Sequence, residues 1–223
     1  MQAMILAAGQ GKRMRPLTEK TPKPLLPVAG KALIEYQIEA LVKAGINELV
    51  INHAWLGEQI PTYLGNGEKY NCNIQYSAEP IDAYETAGGI IHALPLLKDE
   101  SFIVINSDVW CDFDYQQLLS IKLQNKLAHL VLVENPAHNP QGDFALEQGQ
   151  VKLRGSKKYT FAGIGLYHRA LFAGNHTMPL PLGRLLKQHI ANMTVSGQLH
   201  SGLWFDIGTP ERLAAIEKLQ THQ

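Results

Sequence analysis

Cysteine is scarce: Cys72 and Cys111 are the two in 223 residues, too few and too far apart for a disulfide framework or a zinc knuckle. The expectation is a reducing compartment, with both thiols acting as small buried hydrophobes. Net charge is missing too, because twenty Lys and Arg are matched by twenty Asp and Glu. That balance argues against a nucleic-acid protein working through a general basic surface. No apolar run reaches the roughly 18 to 20 residues of a membrane span, and no basic segment precedes a long apolar run near Met1. A soluble cytoplasmic protein with no membrane partner is expected. There is no internal repeat and no low-complexity tract, and nothing fixes an oligomeric state. The nine histidines form no HxH or HExxH cluster and no serine stands in GxSxG, so nucleophilic hydrolase chemistry has no support.

What is present is an alternation. Short aliphatic and β-branched runs at 3–8, 48–53, 73–77, 102–106 and 127–133 read as buried strands. Between them, 33–44, 86–97 and 113–123 carry helical patterns; Ile34, Ile38 and Leu41 share one face of the first, and Gly45 suits its end. Strand and helix alternating over the first 130 residues predict a Rossmann-like α/β fold, its mainly parallel, mixed sheet flanked by helices. After Val133, turn signals at Asn135-Pro136 and Asn139-Pro140-Gln141-Gly142 lead into alternating segments, so the second half reads as β-rich. Trp204-Phe205-Asp206 lies in a closing strand, and Thr209-Pro210-Glu211 starts a last helix. One domain over 1–223 is expected, with a first part at 1–134 and a β-rich second part at 135–223.

The most informative stretch is Leu6 to Pro24, LAAGQGKRMRPLTEKTPKP. Gly9 and Gly11 follow a strand and let backbone N–H groups approach an anion. The dinucleotide fingerprint GxGxxG fails at Met14, and GxxxxGK[ST] fails for want of a second glycine before Lys-Ser or Lys-Thr. Pro22 and Pro24 bracket Lys23, with Pro16 and Pro27 outside them, so the segment is expected to be stiff and extended. Arg13 and Lys23 aimed at one centre suit a polyphosphate.

Leu6-Ala7-Ala8-Gly9-Gln10-Gly11-Lys12-Arg13-Met14 followed by Pro22-Lys23-Pro24 resembles the signature of the sugar-1-phosphate nucleotidyltransferases. Glu85-Thr86-Ala87-Gly88-Gly89, Asn106-Ser107-Asp108, Phe161-Ala162-Gly163-Ile164 and Asp206-Ile207-Gly208-Thr209-Pro210 agree in order, so the resemblance covers the full chain. Within the family, Asn52-His53-Ala54-Trp55-Leu56-Gly57 and Trp204 to Thr209 are most similar to the uridylyltransferases that act on N-acetylmuramate α-1-phosphate in peptidoglycan recycling. Mannose-1-phosphate guanylyltransferases and glucose-1-phosphate thymidylyltransferases stand as alternatives. A silent sugar-nucleotide sensor is a reading of another class, but it would tolerate loss of Lys23, Asp108 or Asp206, and all three are present.

The resemblance implies transfer of a nucleotidyl group from UTP or another NTP to a sugar 1-phosphate, releasing pyrophosphate, with Mg²⁺ as cofactor. It implies that Leu6, Ala7, Ala8, Gly9, Gly11, Thr86, Ala87 and Gly88 meet the nucleotide. Glu79 is a candidate for the base, and Arg13 and Lys23 carry the catalytic charge. Arg13 is placed at the leaving pyrophosphate and Lys23 at the α-phosphorus, whereas Lys12, Arg15 and Lys20 are least expected to touch the reaction. Asp108 and Asp206 are the implied metal ligands; Asp112 and Asp114 read as caps. For the sugar, Asn106, Gly142 and Gly163 are implied. The family's E-x-K-P motif is absent, and Arg154, Lys157 and Lys158 occupy its region. A muramic sugar carries a lactyl carboxylate, for which Arg154, Lys158 or Arg184 is the expected cation. His53 and Trp55 read as packing or capping residues.

Overall fold

The computed structural model of the chain describes residues 1–221. Its first half comprises strands β1 (Ala3–Leu6), β2 (Pro27–Val28), β3 (Lys31–Ala32), β4 (Glu48–His53), β5 (Asn73–Ala78), β6 (Ser101–Asn106), β7 (Val109–Cys111) and β8 (Ala128–Val133). Helices α1 (Leu33–Lys43), α2 (Gln59–Leu64), α3 (Glu85–Ala93) and α4 (Gln116–Leu119) lie between them. The second half adds β9 (Phe144–Glu147), β10 (Gln150–Lys152), β11 (Lys158–His168), α5 (Leu182–Ala191), β12 (Val195–His200), β13 (Trp204–Asp206) and α6 (Pro210–Thr221). None of the helices among the described residues is long and apolar enough to cross a membrane.

Nine strands form one mixed sheet in the order β5-β4-β1-β6-β11-β8-β12-β10-β9. The β5-β4-β1-β6 block is parallel, and β11 runs antiparallel to both β6 and β8. Because β8 lies between β11 and β12, strands from the two expected parts share a single sheet.

Side-chain alternation sorts the strands into two cores. Ala3 and Ile5 of β1, Leu49 and Ile51 of β4, and Ile103 and Ile105 of β6 belong to one buried cluster, with Ile34, Ile38 and Leu41 of α1. Met4, Val50 and Val104 belong to the other, with Ile90 of α3 and Leu182, Leu186 and Ile190 of α5. Helix α1 is closed at both ends by local chemistry. Glu35 accepts from Ala32 N at 2.7 Å, while Gly45 takes φ +85° and the N–H groups of Gly45 and Ile46 return to Val42 and Leu41. A third cluster of Met14, Leu26, Val28, Leu33, Ile207 and Ile216 joins the first loop to β13 and α6.

Three local expectations are corrected. The pattern at 113–123 yields a single turn of helix, Gln116–Leu119, because Phe113 and Tyr115 are buried side by side instead of following a helical face. The second half is not only β-rich, since α5 covers one sheet face. Cys72 and Cys111 are free but only partly buried.

The Tyr167 side chain is wholly buried, and its hydroxyl has no hydrogen-bond partner among the described groups. A buried hydroxyl without a partner costs about 1–3 kcal/mol. Tyr167→Phe is therefore expected to stabilise the fold by a fraction of that energy, read as a raised urea midpoint of unfolding, and a lowered midpoint would show that the hydroxyl is satisfied.

Candidate active site

Strand β1 ends at Leu6, which is in register with Asn52 on β4 and Asn106 on β6. The carboxyl ends of three parallel strands thus converge where the glycine loop begins, the edge at which open α/β sheets bind ligands. Gly9 has open space on its Cβ side, whereas Gly11 sits at φ +62° with Thr18 Cγ2 2.8 Å from where a Cβ would lie. Thr18, fully buried, donates to Gly11 O at 2.8 Å, and Trp55 Nε1 donates to Thr18 O at 2.9 Å. These bonds pull the segment into three short 3-10 turns, Lys12–Met14, Leu17–Glu19 and Lys23–Leu25, so it is stiff but not extended as expected. Proline's fixed φ suits such turns as well as extended chain.

Around this loop lies a cleft of about 650 Å³. Leu6, Ala7, Ala8, Gly9, Gly11, Arg13, Lys23, Glu79, Thr86, Asn106 and Asp108 all line it. Lys23 forms an ion pair with Asp108 in a setting where their side chains are 12% and 27% exposed. Arg13 is exposed on the cleft wall, its Nη2 3.2 Å from the Cβ side of Gly208. Lys12, set aside on sequence grounds, also lines the cleft and reaches Asp82 at 3.3 Å, beside the Gln10 amide that donates to the same oxygen. Two residues expected at the nucleotide do not line the cleft: Ala87 and Gly88 are buried at the start of α3, directly after Thr86, and their N–H groups donate to Leu180 O.

Asn52 is the residue that sequence reasoning missed. Its Oδ1 accepts from Ala7 N at 2.8 Å and its Nδ2 donates to Glu79 Oε1 at 2.7 Å, so one 3%-exposed amide fixes the start of the loop and orients the carboxylate opposite. A polar residue ending the apolar run Leu49-Val50-Ile51 is the signal that could have found it. Burial pushes the Glu79 carboxyl above its ordinary value, opposed in part by the Asn52 bond and the His92 charge. Burial likewise lowers the pKa of His53, a packed strand residue.

A second cavity of about 710 Å³ adjoins the first, sharing Thr86 and Asn106 with it. Gly142 and Lys158 line it, as does Lys187 of α5, but Arg154, Arg184 and Gly163 do not. Gly163 instead takes φ +73° with the Asn106 amide 2.6 Å from its missing Cβ, leaving room for Asn106 to turn toward the shared wall. Lys157 is paired with Glu134 at 2.8 Å.

The Nucleotidyl transferase family profile matches residues 2–223. The chain is 49% identical to an N-acetylmuramate alpha-1-phosphate uridylyltransferase of Neisseria meningitidis serogroup B over 226 residues, 98% of each chain. It belongs to the nucleotidyl transferase family. A mannose-1-phosphate guanyltransferase of Gibberella zeae is 33% identical over 95% of this chain, which spans 62% of that longer relative. Among solved structures, a Bacillus anthracis protein with a glucose-1-phosphate thymidylyltransferase assignment, crystallised with a sucrose, superposes with TM-score 0.87 at 20% identity, covering 98% of this chain and 94% of that one. That likeness bears on the fold.

Nucleotidyl transferases use a divalent metal. Here β7 and β13 pair antiparallel, Ile207 N donates to Asp108 O at 2.7 Å, and Asp206 is in register with Val109, so Asp206 at the end of β13 stands beside the turn that carries Asp108. Asp206 does not line the cleft; its Oδ1 accepts from Arg212 and lies 3.0 Å from His138 Nε2. No group of three or more metal-ligating side chains occurs among the described residues. Two hard carboxylates fit a divalent ion whose remaining sites are filled by phosphate oxygens and water, provided Lys23 and Arg212 yield their contacts.

Asn52→Ala is expected to cost about 1–3 kcal/mol in urea unfolding, because Ala7 N–H loses its buried acceptor, and to raise the KM for nucleotide. An unchanged midpoint together with an unchanged KM would remove Asn52 from the site.

Proposed function

We propose that this nucleotidyl transferase is a uridylyltransferase that converts UTP and N-acetylmuramate α-1-phosphate to UDP-N-acetylmuramate and pyrophosphate, a cytoplasmic step of peptidoglycan recycling. The observation that carries the reading is the pair of adjoining cavities: a glycine-loop cleft lined by Arg13 and Lys23, and a second, partly apolar one that shares Thr86 and Asn106 with it. Residues 1–134 supply most of the nucleotide side, and residues 135–223 most of the sugar side. The 49% likeness over nearly the whole chain supports the choice of sugar and base.

In this transfer an oxygen of the sugar phosphate attacks the α-phosphorus of UTP, and the bond from that phosphorus to the bridging oxygen breaks as pyrophosphate leaves. No side-chain nucleophile is required; position and charge do the work. Backbone N–H groups at Gly9 and Gly11, with Arg13, hold the leaving phosphates. Lys23, kept at the cleft by Asp108, screens the repulsion between the two substrates' phosphates. Asp108 and Asp206 would hold Mg²⁺, which when bound neutralises charge on the phosphate oxygens. Glu79 faces the base. Its Oε1 already accepts from Asn52, leaving Oε2 as the open acceptor, which suits the single N3–H of uracil better than the paired N–H edge of guanine.

A pyrophosphate-release assay over UTP, GTP and dTTP against a panel of sugar 1-phosphates tests the whole reading; highest kcat/KM for another pair of substrates overturns it. Lys23→Ala is expected to lower kcat/KM at least roughly ten- to a hundred-fold, the loss of one charge-assisted contact of about 1.5–3 kcal/mol; undiminished kcat/KM removes Lys23 from the reaction. An ionised Glu79 is the stronger acceptor for uracil N3–H, and burial raises its pKa above the ordinary carboxylate value. The KM for UTP should therefore climb as the pH falls towards that raised value, and Glu79→Gln should bind UTP more weakly with a flat profile over the same range.

A further inference from the structure

The second cavity is an unusual place for a molecule that offers only hydroxyl groups. Phe144, Leu153, Phe161, Leu182 and Leu186 make much of its wall apolar. Three charged side chains line it: Asp143, Lys158 and Lys187. Asp143 is committed to the chain itself, since one oxygen accepts from Phe161 N at 2.8 Å and the other from Asn139 Nδ2 at 3.3 Å. Among the described residues neither lysine ammonium has an ion pair or hydrogen bond, whereas the neighbouring Lys157 is taken by Glu134. Lys158 begins β11 and Lys187 belongs to α5, so the two cations reach the cavity from different elements.

We infer that Lys187, together with Lys158, recognises a carboxylate on the sugar, and that this pair sets the enzyme's preference for a carboxylate-bearing hexosamine 1-phosphate over the parent hexosamine 1-phosphate. The sugar's own phosphate is not the anion in question. It has to reach the nucleotide's α-phosphorus in the first cleft, on the side of Lys23 and Asp108, past Thr86 and Asn106, which line both cavities. An anion held farther into the second cavity is a different group, and a lactyl ether supplies one with a methyl beside it for the apolar wall. Lys187 is exposed and Lys158 half-buried; two ammonium groups against one carboxylate give charge-assisted hydrogen bonds, which outweigh a neutral contact. This inference rests on the uridylyltransferase reading above and assigns the specificity of that site to residues of α5 and β11.

The test compares kcat/KM for N-acetylmuramate 1-phosphate and N-acetylglucosamine 1-phosphate, both with UTP, in the wild type, Lys187→Ala, Lys158→Ala and Lys187→Arg. Each alanine variant is expected to reduce the muramyl-to-glucosaminyl preference at least about ten-fold. The loss should fall mainly on KM for the muramyl substrate, because a contact remote from phosphorus is made equally in the ground and transition states. Lys187→Arg should recover most of the preference. A wild type that prefers the muramyl substrate, with the preference unmoved in both alanine variants, overturns the inference alone. Equal loss on both substrates does the same, since it assigns the lysines to the phosphate or to packing. A wild type with no transfer to the muramyl substrate overturns the functional reading and this inference with it.

Discussion

Everything at the site depends on the parallel pairing of β1 with β6. With Leu6 in register with Asn106 and Ser107 N donating to Leu6 O at 3.0 Å, the glycine loop leaves the sheet directly beside the turn that carries Asp108. A one-residue slip would turn Met4 and Ile5 to the wrong faces and separate the loop's cations from the carboxylate, since side-chain direction in a strand has a period of two. The two apolar cores that sandwich β1 therefore hold the chemistry in register as well as holding the fold together.

The site is cross-braced by groups that each serve two neighbours. Asn52 binds the loop with its oxygen and Glu79 with its nitrogen; Thr18 takes up Gly11 and is itself taken up by Trp55. Bracing of this kind keeps a glycine-containing loop from wandering and so lowers the entropy lost when a nucleotide arrives. The Lys23–Asp108 pair is only slightly exposed, so each partner depends on the other to avoid an uncompensated buried charge. On the proposed function, a phosphate entering the cleft would offer Lys23 a second anion and free Asp108 for a cation, so the pair would serve as an exchange point.

The parts of the chain legible in advance were those written locally. The glycines, the bracketed Lys23, the aspartates after apolar runs and the capped ends of α1 and α6 sit within a few residues of their physical cause. Parts that depend on distant contacts were not. The turns at 12–25 come from Thr18 and Trp55, whose bond spans 37 positions, and the helical pattern at 113–123 lost to the burial of Phe113 and Tyr115. Helix α5 was hidden behind prolines at 179 and 181, and with it Lys187, whose place beside Lys158 follows only from the packing of α5 against the sheet. Ala87 and Gly88 show the converse: small residues in a signature motif whose neighbours, Met178 and Leu180, come from a distant segment.

The cluster of Met14, Leu26, Val28, Leu33, Ile207 and Ile216 spans some of the longest sequence separations in the molecule. The glycine loop therefore stands on a floor built from β13 and α6, segments far from it in the chain. A substitution that opens this cluster at Ile207 or Ile216 would leave every residue of the loop in place and still loosen it from below.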